Sequence, residues 1–262
     1  MKKILLIFNL LFLPIFLFSA FLQLSPSAKL AAISDISLLD ESVSSIFYNP
    51  ATFDKIFSIS SSYFVPFSLP DLKYLTGAIG YKFEKFHFAV GLQQFGNEIY
   101  KEQTGIFVTN VNISKNLSLG MSYRFLQKNV SEMNDEIDSQ FDIGMMATFD
   151  KFQFSSSFLN CGFDKIGNDN LPQESRTEIS YQIYENLKTG ISFVKELDYP
   201  FSFHFGTVYY PIKKFGILSG FETEPERFSA GLEFNIQKIQ IIYGIKTHQY
   251  LDITHYITVS YQ

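Results

Sequence analysis

The sequence has one cysteine, no tryptophan and four histidines in 262 residues. A lone Cys161 excludes an internal disulfide framework and reads as a small residue near a strand end. His87, His204, His248 and His255 are scattered without metal-ligand spacing. There is no zinc motif, no Gly-rich phosphate loop and no nucleophile elbow, so nothing calls for a catalytic residue, a metal or a cofactor. Basic clusters are also missing. The formal charge is −5, and without Lys2 and Lys3 the balance falls to −7. An acidic chain with no basic patch speaks against nucleic acid as a partner. Beyond residue 18 no apolar run reaches the roughly 20 residues a spanning helix needs.

Aromatic side chains are abundant: Phe 30 and Tyr 15, within a chain that is 46% hydrophobic. The mean hydropathy of +0.07 is nevertheless far from that of a helical membrane protein. The amino terminus, MKKILLIFNLLFLPIFLFSA, has two lysines, a short apolar run interrupted by Pro14, and the small residues Ser19 and Ala20. That is the layout of a secretory signal peptide over residues 1–20. Phe18 is a poor residue three places before a cut after Ala20, which leaves the cleavage point open over several residues. No Cys follows, which excludes a lipoprotein anchor.

The stretch FEKFHFAVGL at residues 83–92 has five near-repeats: ISKNLSLGMSY, TFDKFQFSSSF, IYENLKTGISF, PIKKFGILSGF and NIQKIQIIYGI. In each, a polar pair interrupts an apolar run and strict alternation follows. Phe86, Phe88, Val90 and Leu92 share one face, with His87, Ala89, Gly91 and Gln93 on the other. Leu117, Leu119, Met121, Tyr123 and Phe125 oppose Ser118, Gly120, Ser122 and Arg124 in the same way. A period of two with one greasy face is a half-buried strand, and each polar pair is a hairpin turn.

Some fourteen strands of about nine to twelve residues emerge, the length a tilted strand needs to cross a bilayer. Connections after even-numbered strands are two-residue turns, and those after odd-numbered strands are longer and polar, ETEPE at 222–226 and NDEID at 134–138 among them. These two acidic stretches read as solvated loops rather than Ca²⁺ sites. A water-soluble sandwich or lipocalin-like barrel also alternates, but here the second face is small and polar, too poor in bulk for a core. Aromatics beside the tight turns (Phe83, Phe86, Phe149, Phe152, Tyr184, Tyr210, Phe215, Phe234) suggest a girdle at one interface. The fold class is therefore all-β: a transmembrane antiparallel up-and-down barrel over residues 55–262, in contact with outer-membrane lipid. Its last strand (Ile253, His255, Ile257, Val259, Tyr261) resembles the terminal strand read by barrel-assembly machinery. In this register lumen-facing Gly91 and Ser122 should tolerate substitution.

Residues 21–54 precede the first strand and have no clean period. Within them, ISLLDESVSSIFYNPATFDKI resembles the amino-terminal signature of FadL-like outer-membrane barrels, particularly the PorV/PorQ branch. The matching positions are Asp40, Ser45, Tyr48, Asn49, Pro50 and Ala51, although the upstream Gly-rich run is replaced by KLAAISD. The resemblance implies a segment lodged in the lumen as a hatch. It also implies one of two functions, passage of small hydrophobic compounds across the outer membrane or receipt of exported protein cargo as a secretion accessory. A purely structural barrel is the third reading.

Alternation places Arg124, Asp142, Arg176, Glu178, Lys188 and Glu233 on the lumen face. They read either as a polar lining for substrate or as a salt-bridge network that stiffens the wall. Arg124 and Asp142, each eight residues from a tight turn on adjacent strands, should pair.

Overall fold

A computed structural model of the protein describes residues 20, 21, 23–162, 164–167, 169–197 and 199–262. The leader assigned to residues 1–20 lies, Ala20 apart, outside the described residues.

Fourteen strands form a closed ring. They are β1 (Phe57–Val65), β2 (Lys73–Phe83), β3 (Phe86–Gly96), β4 (Tyr100–Ser114), β5 (Leu117–Val130), β6 (Glu136–Phe149) and β7 (Phe152–Leu159). The second half comprises β8 (Glu174–Tyr184), β9 (Leu187–Glu196), β10 (Ser202–Ile212), β11 (Phe215–Thr223), β12 (Glu226–Ile236), β13 (Ile239–Lys246) and β14 (Thr254–Tyr261). Every strand is antiparallel to its sequence neighbours, and β1 closes the ring on β14 with Ile59 opposite Tyr261. A two-residue hairpin, Lys165–Ile166 with Asp169–Asn170, stands in the connection between β7 and β8.

The greasy face points outward. Phe88, Val90, Leu92, Met121, Phe141 and Ile143 are all exposed, whereas their alternates His87, Ala89, Ser122 and Asp142 are buried inside. Closure pairs the backbone groups of every strand with those of two neighbours, the condition for a sheet to stand in hydrocarbon. His255, awkward on a lipid-facing strand, lies with its Nδ1 2.6 Å from Tyr243 Oη, so its polar atom is engaged on the surface.

Several details differ from the sequence reading. Strands run from 8 to 15 residues, because β4, β5 and β6 continue beyond the span as a raised wall on one side. The connection between β11 and β12 is a two-residue Glu224-Pro225 turn, not a loop over 222–226. Glu222 therefore sits in the lumen, where Lys246 meets it. Tyr210 does not join the outer girdle. It shares the inward parity of His204 and Val208, and its hydroxyl donates to Glu233 at 2.9 Å.

Nor is the lumen face tolerant at Gly91 and Ser122. A Cβ on Gly91 would lie 2.7 Å from the Phe47 ring, and Ser122 Oγ donates to Asp142 at 2.6 Å. The lumen is packed rather than empty, and substitutions there meet protein instead of water. We expect Val90→Arg and Met121→Arg to cost about 2–4 kcal/mol each by placing a cation in lipid, while Ser131→Arg in the exposed β5–β6 turn is neutral. The fraction migrating as folded barrel in unboiled samples on a denaturing gel checks this.

Candidate functional site

Residues 25–40 and 42–53 are buried within the ring as a continuous plug. A short helix α1 (Ala28–Ala32) starts at Ser27, whose Oγ accepts from Leu30 N at 3.2 Å. Its alanines keep it narrow enough to lie on the wall. Ala28 N donates to Thr258 Oγ1 at 2.7 Å, and a Cβ on Gly244 would lie 2.5 Å from Ala28 O. Ser34 and Asp35 turn the chain with φ of 53° and 59°. Two 3-10 turns follow, Ser37–Leu39 and Val43–Phe47.

Wall side chains satisfy the plug's open backbone groups. Glu178 accepts from Ser37 N and Leu38 N, each at 3.1 Å, and from Ser37 Oγ at 2.6 Å. Lys188 Nζ holds the other end of that turn by donating to Leu38 O at 2.6 Å. Arg124 donates to Asp142 Oδ2 at 2.7 Å and to Phe47 O at 2.6 Å. Its direct cross-strand partner is Gln140, so the ion pair runs diagonally, as the stagger of tilted strands requires. Arg176 bonds Glu174 Oε1 at 3.0 Å, lies 3.6 Å from Glu178, donates to Asp35 O and stacks 4.3 Å over the Tyr48 ring. Glu233 pairs at 3.0 Å with Lys29 of α1.

These six wall residues are thus brought to the plug. Wall-to-wall ion pairs join Arg124 to Asp142 and Arg176 to Glu174 and Glu178, and all of the six but Asp142 also have a direct partner on the plug. Short-range pattern reading missed the plug partners Lys29 and Asp35, together with Lys246 and His204. Asp35 Oδ2 accepts from Lys246 at 2.6 Å, and His204 Nδ1 meets Ser34 O at 2.8 Å. Inward parity was the only signal for His204 and Lys246, and Lys29 and Asp35 had none, since no motif announces a contact across more than 150 residues.

Burial opposes the ionisation of the plug carboxylates, and a cation beside them decides where it is overcome. Burial raises Asp40, which is held by Ser42 N and Oγ, both at 3.0 Å, above its ordinary value. Burial acts against Lys29 too, but Glu233 and then Tyr210 outweigh it and the ammonium is held above the usual lysine range. At the tight-turn end a hydrogen bond from His87, then Lys82, holds Asp54 well below the usual carboxylate range.

The Asn-Pro-Ala segment lies flat on the wall. Ser45 O accepts from Tyr48 N and Asn49 N, each at 3.1 Å, and Asn49 Oδ1 accepts from Ala51 N at 2.9 Å, an Asx turn that Pro50 rigidifies. Asn49 Nδ2 reaches the wall itself, donating to Met145 O at 3.3 Å and Ser156 O at 3.4 Å on β6 and β7. Gly120 and Gly144 face one another across β5 and β6 directly beneath it. A Cβ on Gly120 would lie 2.5 Å from Pro50 O, and one on Gly144 would strike Asn49 Oδ1. The wall here is one backbone thick.

Immediately outside this patch is an apolar groove of about 610 Å³. Phe86, Leu119, Met121, Ile143 and Phe158 rim it, and the small outward residues Thr109 and Ser156 form its floor. Inside, a vestibule of about 590 Å³ opens at the tight-turn end and stops at Lys29 and Glu233. At the loop end the described lumen holds cavities of only about 40 and 30 Å³.

No family model matches the sequence, and no curated protein matches it. Solved structures do. The monoaromatic hydrocarbon channel CymD has a TM-score of 0.69 at 9% identity, over 91% of this chain and 97% of that one. The Pseudomonas putida toluene transporter TodX has a TM-score of 0.69 at 10% identity, over 93% and 99%. A Pseudomonas aeruginosa FadL homologue has a TM-score of 0.66 at 11% identity, over 92% and 99%. At such identities the likeness is one of fold.

The Lys29–Glu233 pair gives a test of the anchoring. Lys29→Met or Glu233→Gln alone strands a buried charge and should cost about 3–5 kcal/mol. The double variant should recover a large part of that loss, as read from unfolding midpoints in detergent.

Proposed function

We propose that the protein passes small hydrophobic compounds across the outer membrane of a diderm bacterium, with residues 21–54 as the hatch of a FadL-like barrel. The observation that carries this reading is the apolar groove of about 610 Å³ lying against the one-backbone-thick wall at Gly120 and Gly144. The lumen is filled by the plug and the ion pairs that anchor it, whereas the groove joins the wall to the hydrocarbon of the bilayer. A route there would need the continuous β5–β6 pairing at Gly120 and Gly144 to part as Asn49 and Pro50 move, toward lipid rather than toward water. The names of the solved relatives, channels for monoaromatic hydrocarbons and toluene, support the same substrate class.

A second reading, an accessory that receives exported protein cargo, rests on the resemblance of Asp40, Ser45 and Asn49–Ala51 to the PorV/PorQ branch. It predicts a protein that co-purifies with the barrel from the outer membrane.

Cells carrying the chain as their hydrocarbon channel should take up a labelled monoaromatic such as toluene faster than cells without it. Thr109→Phe and Ser156→Phe fill the groove floor from the lipid side and should bring uptake down toward the empty-vector level while the barrel still shifts on heating. Full uptake in both folded variants would remove the groove from the route. No uptake above the control in the parent protein would sink the transport reading.

A further inference from the structure

Six wall carboxylates are buried in the lumen: Glu102, Asp142, Glu174, Glu178, Glu222 and Glu233. Five have a lysine or arginine within 4.0 Å; among the described residues, Glu102 has none. Its Oε1 instead accepts from Tyr100 Oη and, at 3.0 Å, from the backbone nitrogen of Phe21. A carboxylate 8% exposed and served, among the described residues, only by neutral donors is a costly arrangement in a lumen that pairs its other wall acids.

We propose that the leader is removed between Ala20 and Phe21, and that the α-ammonium so created at Phe21 is the cation of Glu102. Signal peptidase adds water across the Ala20–Phe21 amide. The Ala20 carbonyl carbon takes the oxygen and leaves on the released peptide as a carboxylate. The nitrogen keeps its hydrogen, gains two protons from the water and remains on Phe21 as a three-donor ammonium. One neutral N–H then becomes a full charge 3.0 Å from Glu102.

Two further observations agree. Phe21 has φ of 59°, a left-handed conformation unfavourable for a side chain of this size while a peptide bond precedes it. Cleavage abolishes that torsion, because φ is defined through the preceding carbonyl carbon. Phe21 also lies at the end of the barrel away from the tight turns, against Leu126, Ile166 and Leu171; Ala20, which packs there in the uncleaved chain, leaves with the leader. A leader still held in the inner membrane could not bring Phe21 to that end, so the cut must come before the chain threads. Ala20 supplies the small residue that the leader's cleavage site requires. This inference rests on the leader read from the sequence and is independent of the transport reading.

The test uses the full-length chain expressed in a diderm host and purified from its outer membrane. Amino-terminal sequencing and intact mass should give a mature chain beginning at Phe21. Any other terminus overturns the proposal, and this readout does not depend on a variant folding. An amine-acylating reagent at neutral pH then probes the folded protein. Glu102→Gln should label its α-amine about tenfold faster than the parent, since the ion pair keeps that amine protonated and unreactive. Tyr100→Phe, which leaves the carboxylate in place, should label as slowly as the parent. Equal rates in the parent and in folded Glu102→Gln would show that Glu102 does not hold the terminus.

Discussion

In hydrocarbon an unpaired peptide group costs several kcal/mol, and that penalty organises this protein. It forces the strands to close, β1 onto β14, because an open edge would expose a row of such groups. Closing fourteen strands has a second consequence. The ring is too wide for its own side chains to fill, yet too narrow for an unobstructed water channel to be its only outcome. The chain fills it with its own preceding segment.

Filling a lumen with backbone renews the same problem on a smaller scale. A plug made of one short helix and two 3-10 turns has many N–H and C=O groups outside regular ladders. Glu178, Lys188, Arg124 and Arg176 answer it from the wall, each bonding a main-chain group of the plug. Charged side chains suit this task because they reach across the gap and form stronger hydrogen bonds than neutral ones. Small wall residues do the complementary work: at Gly120 and Gly244 the two backbones approach more closely than any side chain would allow, and at Gly144 the Asn49 side chain takes that space. The lumen face is small and polar because another piece of chain lies on it, not because water does.

The Asn-Pro-Ala segment is where the two demands meet. Asn49 completes its own turn through Oδ1 and spends Nδ2 on carbonyls of β6 and β7, so one side chain ties the plug to two strands. The glycines beneath it reduce the wall to its backbone, and the membrane face over the same patch is hollow. The same patch is thus tightly packed on its inner side and hollow on its outer side.

Alternation carried much of the fold. The fourteen strands read from the sequence are the number observed, and the outward faces of β3 and β5 are those the period of two assigns. This was legible because side-chain parity is a local property: each strand reports which face meets lipid without reference to any other. Parity also placed Arg124, Asp142, Arg176, Glu178, Lys188 and Glu233 inside, and distance from the tight turns paired Arg124 with Asp142, but neither could say which plug groups they touch. Their partners Phe47, Asp35, Ser37, Leu38 and Lys29 lie some 75 to 205 residues away, in a segment without a period. Which plug atom meets which wall side chain depends on the girth and stagger of the closed ring. Only the tertiary structure decided that, as it decided that the Gly120–Gly144 patch is pressed by Pro50 within and left hollow without.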